Sequence, residues 1–557
     1  MNVLDKAIAA VSPAWGKSRS AARAAIARTE LAETLADTGR AVMSGYSEGG
    51  ASRRSKAFRG SKGISADPQS DIDANHQTLI SRSRLAYMTA PIATSAINTT
   101  RTNVIGGGLH LKSRLDWEFL NTVTPFDQSH AENWENKIER EFALWAESKF
   151  CDAYRLNNFY EMQSLFFLGE LMNGDGLCLL PMEEPTAFMP YGLRLKLIEG
   201  DRLSTPGTRM SAGGISTTYW GMNQTTGNRI YSGVEFDRSG ATVAYHFCNR
   251  YPYAPMQPDS LEPLKWERVE AFGAQTGRPN VLHMFEPERA EQRRGVPFLS
   301  PILEELQQLK RYEKAELMAA IIGAMFTAFV TTTGPTTSMP LGEALDNLDE
   351  GENAPPKGDD EYRLGSGAVV TLGPGEDVKF AEPKHPVTAF GEFVSSVSQS
   401  IGAALEIPNE LLLKKFSASY SASRGALLEA WKMFKFRRER VTTQFCQPVY
   451  ELFLTEAVAQ GRIHAPRFFD DPIIRKAWCS ADWNGPAAGM LDPTKEVEAA
   501  TYRVEQGFST REEETRGLTG GDYKRNVNQL TNENQLLAAA QKSLTPDTAK
   551  GGNSNAQ

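Results

Sequence analysis

The spacing of apolar residues changes twice along this chain, and those two changes limit the fold more than any single motif. Helical spacing runs from His76 to Met172, gives way to a spacing of two in runs such as Leu193, Leu195 and Leu197, and returns at Ser300. A period near 3.6 lays one face of a helix against a core, whereas a period of two lays one face of a strand there. Residues 176 to 290 therefore read as β-rich and lie between two helical regions. With 557 residues the chain exceeds what one hydrophobic core organises, so two to four structural units are expected.

Local signals divide these regions further. Residues 1 to 45 are rich in Ala and Arg with helical character, and Ser44 to Ser70 form a basic, Gly- and Ser-rich linker. One helix is expected from His76 through Ile105, stopped by Gly106-Gly107-Gly108, with a strand at Leu109 to Ser113. His130 to Ser148 sets Trp134, Ile138, Phe142 and Trp145 on one side of a helix, and Asn158 to Met172 is a helix closed by Asn173-Gly174. Ile230 to Phe236 and Ala241 to Phe247 flank Asp237-Arg238-Ser239-Gly240 as a hairpin.

Ser300-Pro301 has the composition of a helix start, a hydroxyl N-cap followed by proline. Ile302, Leu306, Leu309 and Leu317 share a face of that helix, which becomes apolar all round beyond Leu317. Such a segment is either a core helix of a monomer or a wedge between subunits. An insert at Thr331 to Phe380 carries eight carboxylates between Glu343 and Glu361 (Glu343, Asp346, Asp349, Glu350, Glu352, Asp359, Asp360 and Glu361) against one lysine, Lys357. A helix from Val387 to Leu405 follows. A polar stretch then leads to a long helix beginning near Ser423 and expected to kink at Pro448. From about Ser543 the chain is too polar and Gly-rich to pack.

Catalytic patterns are missing from the sequence. Gly16-Lys17-Ser18 matches the end of a phosphate-binding loop, but Val11 stands where its first glycine belongs. His130-Ala131-Glu132-Asn133 is not HExxH, the seven histidines show no ligand spacing, and no GxSxG is present. Cys151, Cys178, Cys248, Cys446 and Cys479 follow neither a disulfide nor a zinc pattern. Neither an enzyme, a cofactor nor a metal site is expected. The longest uncharged apolar run, Leu317 to Val330, is 14 residues and too short to span a bilayer. A formal charge of −8 argues against a broad basic face gripping nucleic acid, which works by neutralising phosphates.

Four runs occur in a recognisable order: SRLAYMTAPIATSAINTTRTNVIGGGLHLKS (Ser83 to Ser113), VLHMFEPERAEQRRGVPFLSPILEELQQLKRYEKAEL (Val281 to Leu317), SYSASRGALLEAWKMFKFRRER (Ser419 to Arg440) and DWNGPAAGMLDPTKEVEAA (Asp482 to Ala500). Together they resemble the lambda-like family of tailed-phage portal proteins, over roughly residues 75 to 520.

The resemblance implies a mainly helical α+β portal fold with long stem and crown helices and a β-rich wing, assembled as a homo-oligomeric ring of about twelve copies at one capsid vertex. It implies passage of double-stranded DNA during packaging and ejection. The implied partners are the terminase large subunit, head-completion and tail connector proteins, and the major capsid and scaffold proteins, with no membrane. The implied location is the virion, and the host cytoplasm during assembly. The corresponding segments are an N-terminal arm at 1–74, a wing at 75–299, a first stem helix at 300–330, a clip at 331–380 and a second stem helix at 381–407. A tunnel loop at 408–423, wing-to-crown helices at 424–520 and a tail at 521–557 complete the order. Lys414, Lys415, Ser417, Ser419 and Ser421 of the tunnel loop are the DNA-channel candidates, and the eight clip carboxylates are the partner-docking candidates.

The basic residues Lys432, Lys435, Arg437, Arg438 and Arg440 tempt one to read a DNA-gripping helix. Helical geometry argues otherwise. Leu427, Trp431, Phe434, Val441 and Phe445 form one apolar stripe, the charges scatter around the rest, and Arg438 falls within the stripe. The helix is expected to anchor, and the loop before it to meet DNA.

Overall fold

A computed structural model describes residues 65–207, 209–211, 214–216, 219–254, 263–325, 329–332, 376–379, 390–416, 419–489 and 492–544, together with 21–22. Contacts divide the chain into Met1–Asp67 and Pro68–Gln557, and the elements below belong to the second unit.

The first expected helix is two, α1 (Ala74–Thr89) and α2 (Pro91–Val104). Ala90 between them is extended, at φ −117° and ψ 110°, because the ring of Pro91 bars the helical conformation to the residue before it while fitting the first turn of α2. Strand β1 (His110–Ser113) and helices α3 (Trp117–Val123) and α4 (Gln128–Ala146) follow. Helix α5 (Phe159–Asn173) starts on Asn158, whose side chain accepts from the Glu161 N–H while Glu161 caps in return, and it ends on left-handed Gly174.

Strands β2 (Gly176–Leu179) and β3 (Lys196–Ile198) open the β-rich region. It continues through β4 (Trp220–Met222), β5 (Arg229–Tyr231), β6 (Val234–Phe236), β7 (Thr242–Cys248), β8 (Trp266–Glu270) and β9 (Val281–Met284). The sheet order β8-β7-β6-β5-β4 is antiparallel, and β9-β2-β3 forms a second antiparallel sheet. The β6–β7 hairpin turns at Asp237–Gly240 as expected. Ile230 to Phe236, however, is not one strand: Ser232 and Gly233 have φ of 45° and 89°, the two left-handed positions of a tight hairpin turn, and they fold β6 back on β5.

Helix α6 (Leu303–Met325) is preceded by a single tight turn at Ser300–Ile302. Ser300 does not cap it: its Oγ is buried without a partner, and Leu299 holds the position before the turn. Strands β10 (Phe329–Thr332) and β11 (Glu376–Lys379) pair with each other at the ends of the acidic insert. Helices α7 (Phe390–Ala404), α8 (Asn409–Leu412) and α9 (Tyr420–Val441) come next. A wide turn at Thr442–Cys446 joins α9 to α10 (Gln447–Ala459). The irregularity therefore lies before Pro448, not at it. The wide turn moves aside the carbonyls that the proline ring would strike, and Pro448 sits in the first turn of α10, where a missing N–H costs little.

The chain closes with α11 (Pro472–Trp478), β12 (Ala481–Asn484), α12 (Pro493–Glu505), α13 (Arg511–Thr519) and α14 (Tyr523–Leu544). β12 returns to pair antiparallel with β1, His110 opposite Asn484.

The main core lies where α4, α5, α9 and α10 meet. Trp134, Ile138, Phe142 and Trp145 are buried together, as the spacing on α4 predicts. Phe142 meets Phe159, Tyr450 and Phe453 edge-on with ring centres 5.6, 5.7 and 5.2 Å away, and Phe166 stacks on Phe445 at 4.2 Å. Each such ring contributes about 1.5–3 kcal/mol through removal from water.

Candidate DNA-channel segment

The segment between α7 and α9 is held by its first half. Leu405, Ile407 and Leu412 are buried, and Ser95 of α2 donates a 2.6 Å hydrogen bond to the Leu412 carbonyl. Gly402 lets the chain turn back over α7, since a Cβ there would stand 2.6 Å from the Ile407 carbonyl oxygen. Glu406 and Lys414 both take left-handed φ, 57° and 54°. Lys414 is thereby aimed back at α2, where its ammonium donates to Thr99 Oγ1 at 2.6 Å.

The second half is different. Lys415 and Phe416 are exposed, and Ser417 lies outside the described residues. Ser419 is the N-cap of α9, accepting from the Ala422 N–H at 3.4 Å, and Ser421 is exposed in the first turn of that helix. The expected loop thus ends at Ser419, not Ser423. All eight acidic candidates of the insert also lie outside the described residues.

Helix α9 anchors this segment, as its stripe suggests: Trp431, Phe434, Val441 and Phe445 are buried. Its arginines are bound rather than free. Arg438 reaches the carbonyls of Val104 and Asn103 at 3.0 and 2.7 Å, satisfying acceptors left open at the end of α2, and lies 5.4 Å from the Trp431 ring centre. Burial pulls its pKa down to about 10. Arg440 bridges Glu170 and Glu286 at 3.1 and 2.9 Å, and Arg437 meets Glu286 at 3.0 Å. Burial raises the Glu170 carboxyl above its ordinary value despite the opposing pull of Arg440 and Arg437.

A buried ion cluster that the sequence gave little reason to expect joins the start of β2 to the chain after β9. Arg294 is almost fully buried; it contacts Asp175 at 2.7 Å and donates to the carbonyls of Gly200, Leu203 and Ser232 at 2.9, 2.8 and 2.7 Å. His283 and the Gly295 N–H bond the other Asp175 oxygen at 2.9 and 2.8 Å, and His76 lies 3.3 Å from the carboxylate. Burial alone would raise Asp175, but Arg294 and the two histidines hold it well below the usual carboxylate range. A Cβ on Gly295 would stand 1.8 Å from the Gly174 carbonyl oxygen, so two backbones meet there and no side chain fits.

Glu235 forms a second such centre. It is ringed by His246 and Arg268 at 2.9 and 2.8 Å, and by Asn223 and Asn228 at 3.0 and 2.9 Å. His283 and His246 are therefore both hydrogen-bonded to carboxylates within the β-rich region. Among the described residues no group of three or more His, Cys, Asp or Glu side chains could hold a metal ion, and no helix is long and apolar enough to cross a membrane.

Comparison with known proteins supplies the frame for this geometry. The family described as phage portal protein, lambda family, matches residues 54–438. The portal protein of Escherichia phage N15 is 26% identical over 463 residues, covering 80% of this chain and 82% of that protein. Portal protein B of Escherichia phage lambda is 25% identical over 466 residues, covering 80% and 81%. Among solved structures, the neck of the native GTA particle computed with C12 symmetry is similar with a TM-score of 0.40 and 13% identity, covering 79% of this chain and 93% of that one. The family match runs from before α1, through the β-rich region, the Asp175–Arg294 cluster and the segment between α7 and α9, to Arg438 itself: the chain belongs to the lambda family of phage portal proteins.

Proposed function

We propose that copies of this chain assemble as a ring of about twelve at one capsid vertex and conduct double-stranded DNA, without catalysis of their own. The observation that carries the ring is the outer half of α6. Leu317, Met318 and Ile321 are 62%, 54% and 44% exposed in the single chain. Of the two readings its sequence allowed, the wedge between subunits now has the support, since apolar side chains in a row on a stem helix need cover that the described residues do not give them.

In that ring the DNA-facing group is the outer half of the segment before α9, with Lys415 at its centre and Ser417, Ser419 and Ser421 beside it. Lys414 belongs to the list as a residue whose charge is shared with Thr99. Two exposed lysines per subunit, Lys414 bonded to Thr99 and Lys415 beside it, give a ring of weak, exchangeable phosphate contacts, which suits sliding better than a continuous basic face. The insert at 331–380 is the clip. Its eight carboxylates steer basic surfaces of the terminase and of head-completion proteins, while the capsid and scaffold meet the ring elsewhere.

Electron micrographs of the purified protein test the ring. Closed rings with a central hole wide enough for a duplex are expected, and monomers under every assembly condition would overturn the proposal. ATP hydrolysis by the purified protein would contradict the passive role. Neutralising the clip carboxylates should leave rings intact and weaken terminase docking; unchanged docking and unchanged head completion would remove the clip assignment.

A further inference from the structure

Helix α14 has a pattern that the described residues leave unused. Tyr523, Val527, Leu530, Asn534 and Leu537 follow one another at steps of four, three, four and three, and the sequence continues the series with Gln541 and Leu544. That is the heptad spacing of helices that wind around one another, with Tyr523, Leu530 and Leu537 in one set of seam positions and Val527 and Asn534 in the other. The described contacts of α14 with the rest of the chain gather at its first turn, where Asp522 meets Lys112 at 2.7 Å, Lys524 meets Glu132 at 3.4 Å and Tyr523 accepts from Arg511 at 3.2 Å. From Lys524 to Ala540 every residue is exposed, with Val527, Leu530 and Leu537 at 39%, 54% and 59%. The family match ends at residue 438, well short of this helix.

We infer that α14 pairs in parallel and in register with α14 of a neighbouring copy along the seam from Tyr523 to Leu537. Three observations choose a second copy over a foreign partner. A seam with heptad spacing is filled best by one with the same spacing. Asn534 places an amide in the middle of an apolar seam, where an apolar groove would leave it unpaired; the same residue of an in-register copy both donates and accepts. The flanking positions Lys524, Asn526, Thr531, Glu533, Ala538 and Ala540 carry only two charges, and Lys524 is already paired with Glu132, so like helices do not repel. The inference rests on the ring only for bringing neighbouring copies side by side in the same direction; a seam paired with itself has twofold symmetry, so the α14 helices join two by two and depart from the symmetry of the ring.

The test uses the full chain with one added cysteine. All five native cysteines are buried, which keeps background cross-linking low. Asn534→Cys should give disulfide-linked dimers under diamide, while Asn532→Cys, on the opposite side of the helix, should give about tenfold less. Adding Leu530→Asp to Asn534→Cys should lower the dimer yield about tenfold, because a charge then enters the seam. Equal yields at 534 and 532, or no dimer at 534, in samples whose micrographs show closed rings would overturn the pairing and leave the ring standing. Dimers at 534 without rings would support the pairing and overturn the ring, and absence of both would overturn both.

Discussion

Helices α9 and α14 are each 22 residues long, yet they stand in opposite relation to the rest of the chain. The apolar stripe of α9 is buried against the core, and three of its arginines are bound to carbonyls or carboxylates. The seam of α14 is exposed along its length. Amphipathic spacing is common to both, so spacing alone does not say where the partner is. What separates them is the chemistry inside the stripe. An arginine within the stripe of α9 found a helix end to satisfy, whereas the asparagine in the seam of α14 is exposed among the described residues.

Substitutions can break this contrast in a graded way. The largest effect is expected at the Asp175–Arg294 cluster. Asp175→Asn leaves Arg294 buried without its countercharge and should cost about 3–5 kcal/mol in urea unfolding near neutral pH. The folded pKa of Asp175 is depressed, so its stabilisation is present above its ordinary value of 3.8 and is lost as pH falls through the lower folded value. The wild type should therefore lose stability more steeply than the variant as pH drops below 3.8. An identical acid limb in both would show that the cluster carries no such linkage.

Within α9, Phe434→Ala should cost about 3–4 kcal/mol by opening a cavity in a well-packed site. Arg438→Met keeps the stem of the side chain but strands the Asn103 and Val104 carbonyls, for about 1–3 kcal/mol. On α14, Leu530→Ala should change the unfolding of the isolated chain by less than about 0.5 kcal/mol. Lys432→Ala on the outer side of α9 should do equally little, since its partner Glu429 is as exposed as it is and such surface pairs contribute about 0.2–1 kcal/mol at most. A Leu530→Ala effect as large as that of Phe434→Ala would place the partner of α14 within its own chain and erase the distinction.

The helical and β-rich regions were legible because each buries one continuous face. Trp134 to Trp145 and Asn158 to Gly174 could be read nearly to the residue, since aromatic spacing, capping box and glycine stop all agree. Errors gathered where one residue decided the path. Pro91 divides a helix whose apolar pattern runs on unbroken, Ser232-Gly233 folds a strand whose alternation hides the turn, and the wide turn at Thr442–Cys446 takes the strain assigned to Pro448. For the candidate segment the anchoring role of α9 was readable from its stripe. The turn of Lys414 toward Thr99 was not, because it depends on a left-handed backbone at a lysine and on a helix more than three hundred positions earlier. The Asp175–Arg294 cluster was hidden for the same reason, its members being scattered from His76 to Gly295.

That scatter also sets an order of events in time. Arg294 comes after every group it binds, 62 residues after Ser232, 91 after Leu203, 94 after Gly200 and 119 after Asp175. On a ribosome adding about 5–20 residues each second, Asp175 waits roughly 6–24 s for the residue that neutralises it. Until then Asp175 lacks the arginine that offsets the cost of burying its charge. The latch of the β-rich region is thus also its clock: a chain halted before Arg294 holds β2 to β9 and lacks the arginine that neutralises Asp175.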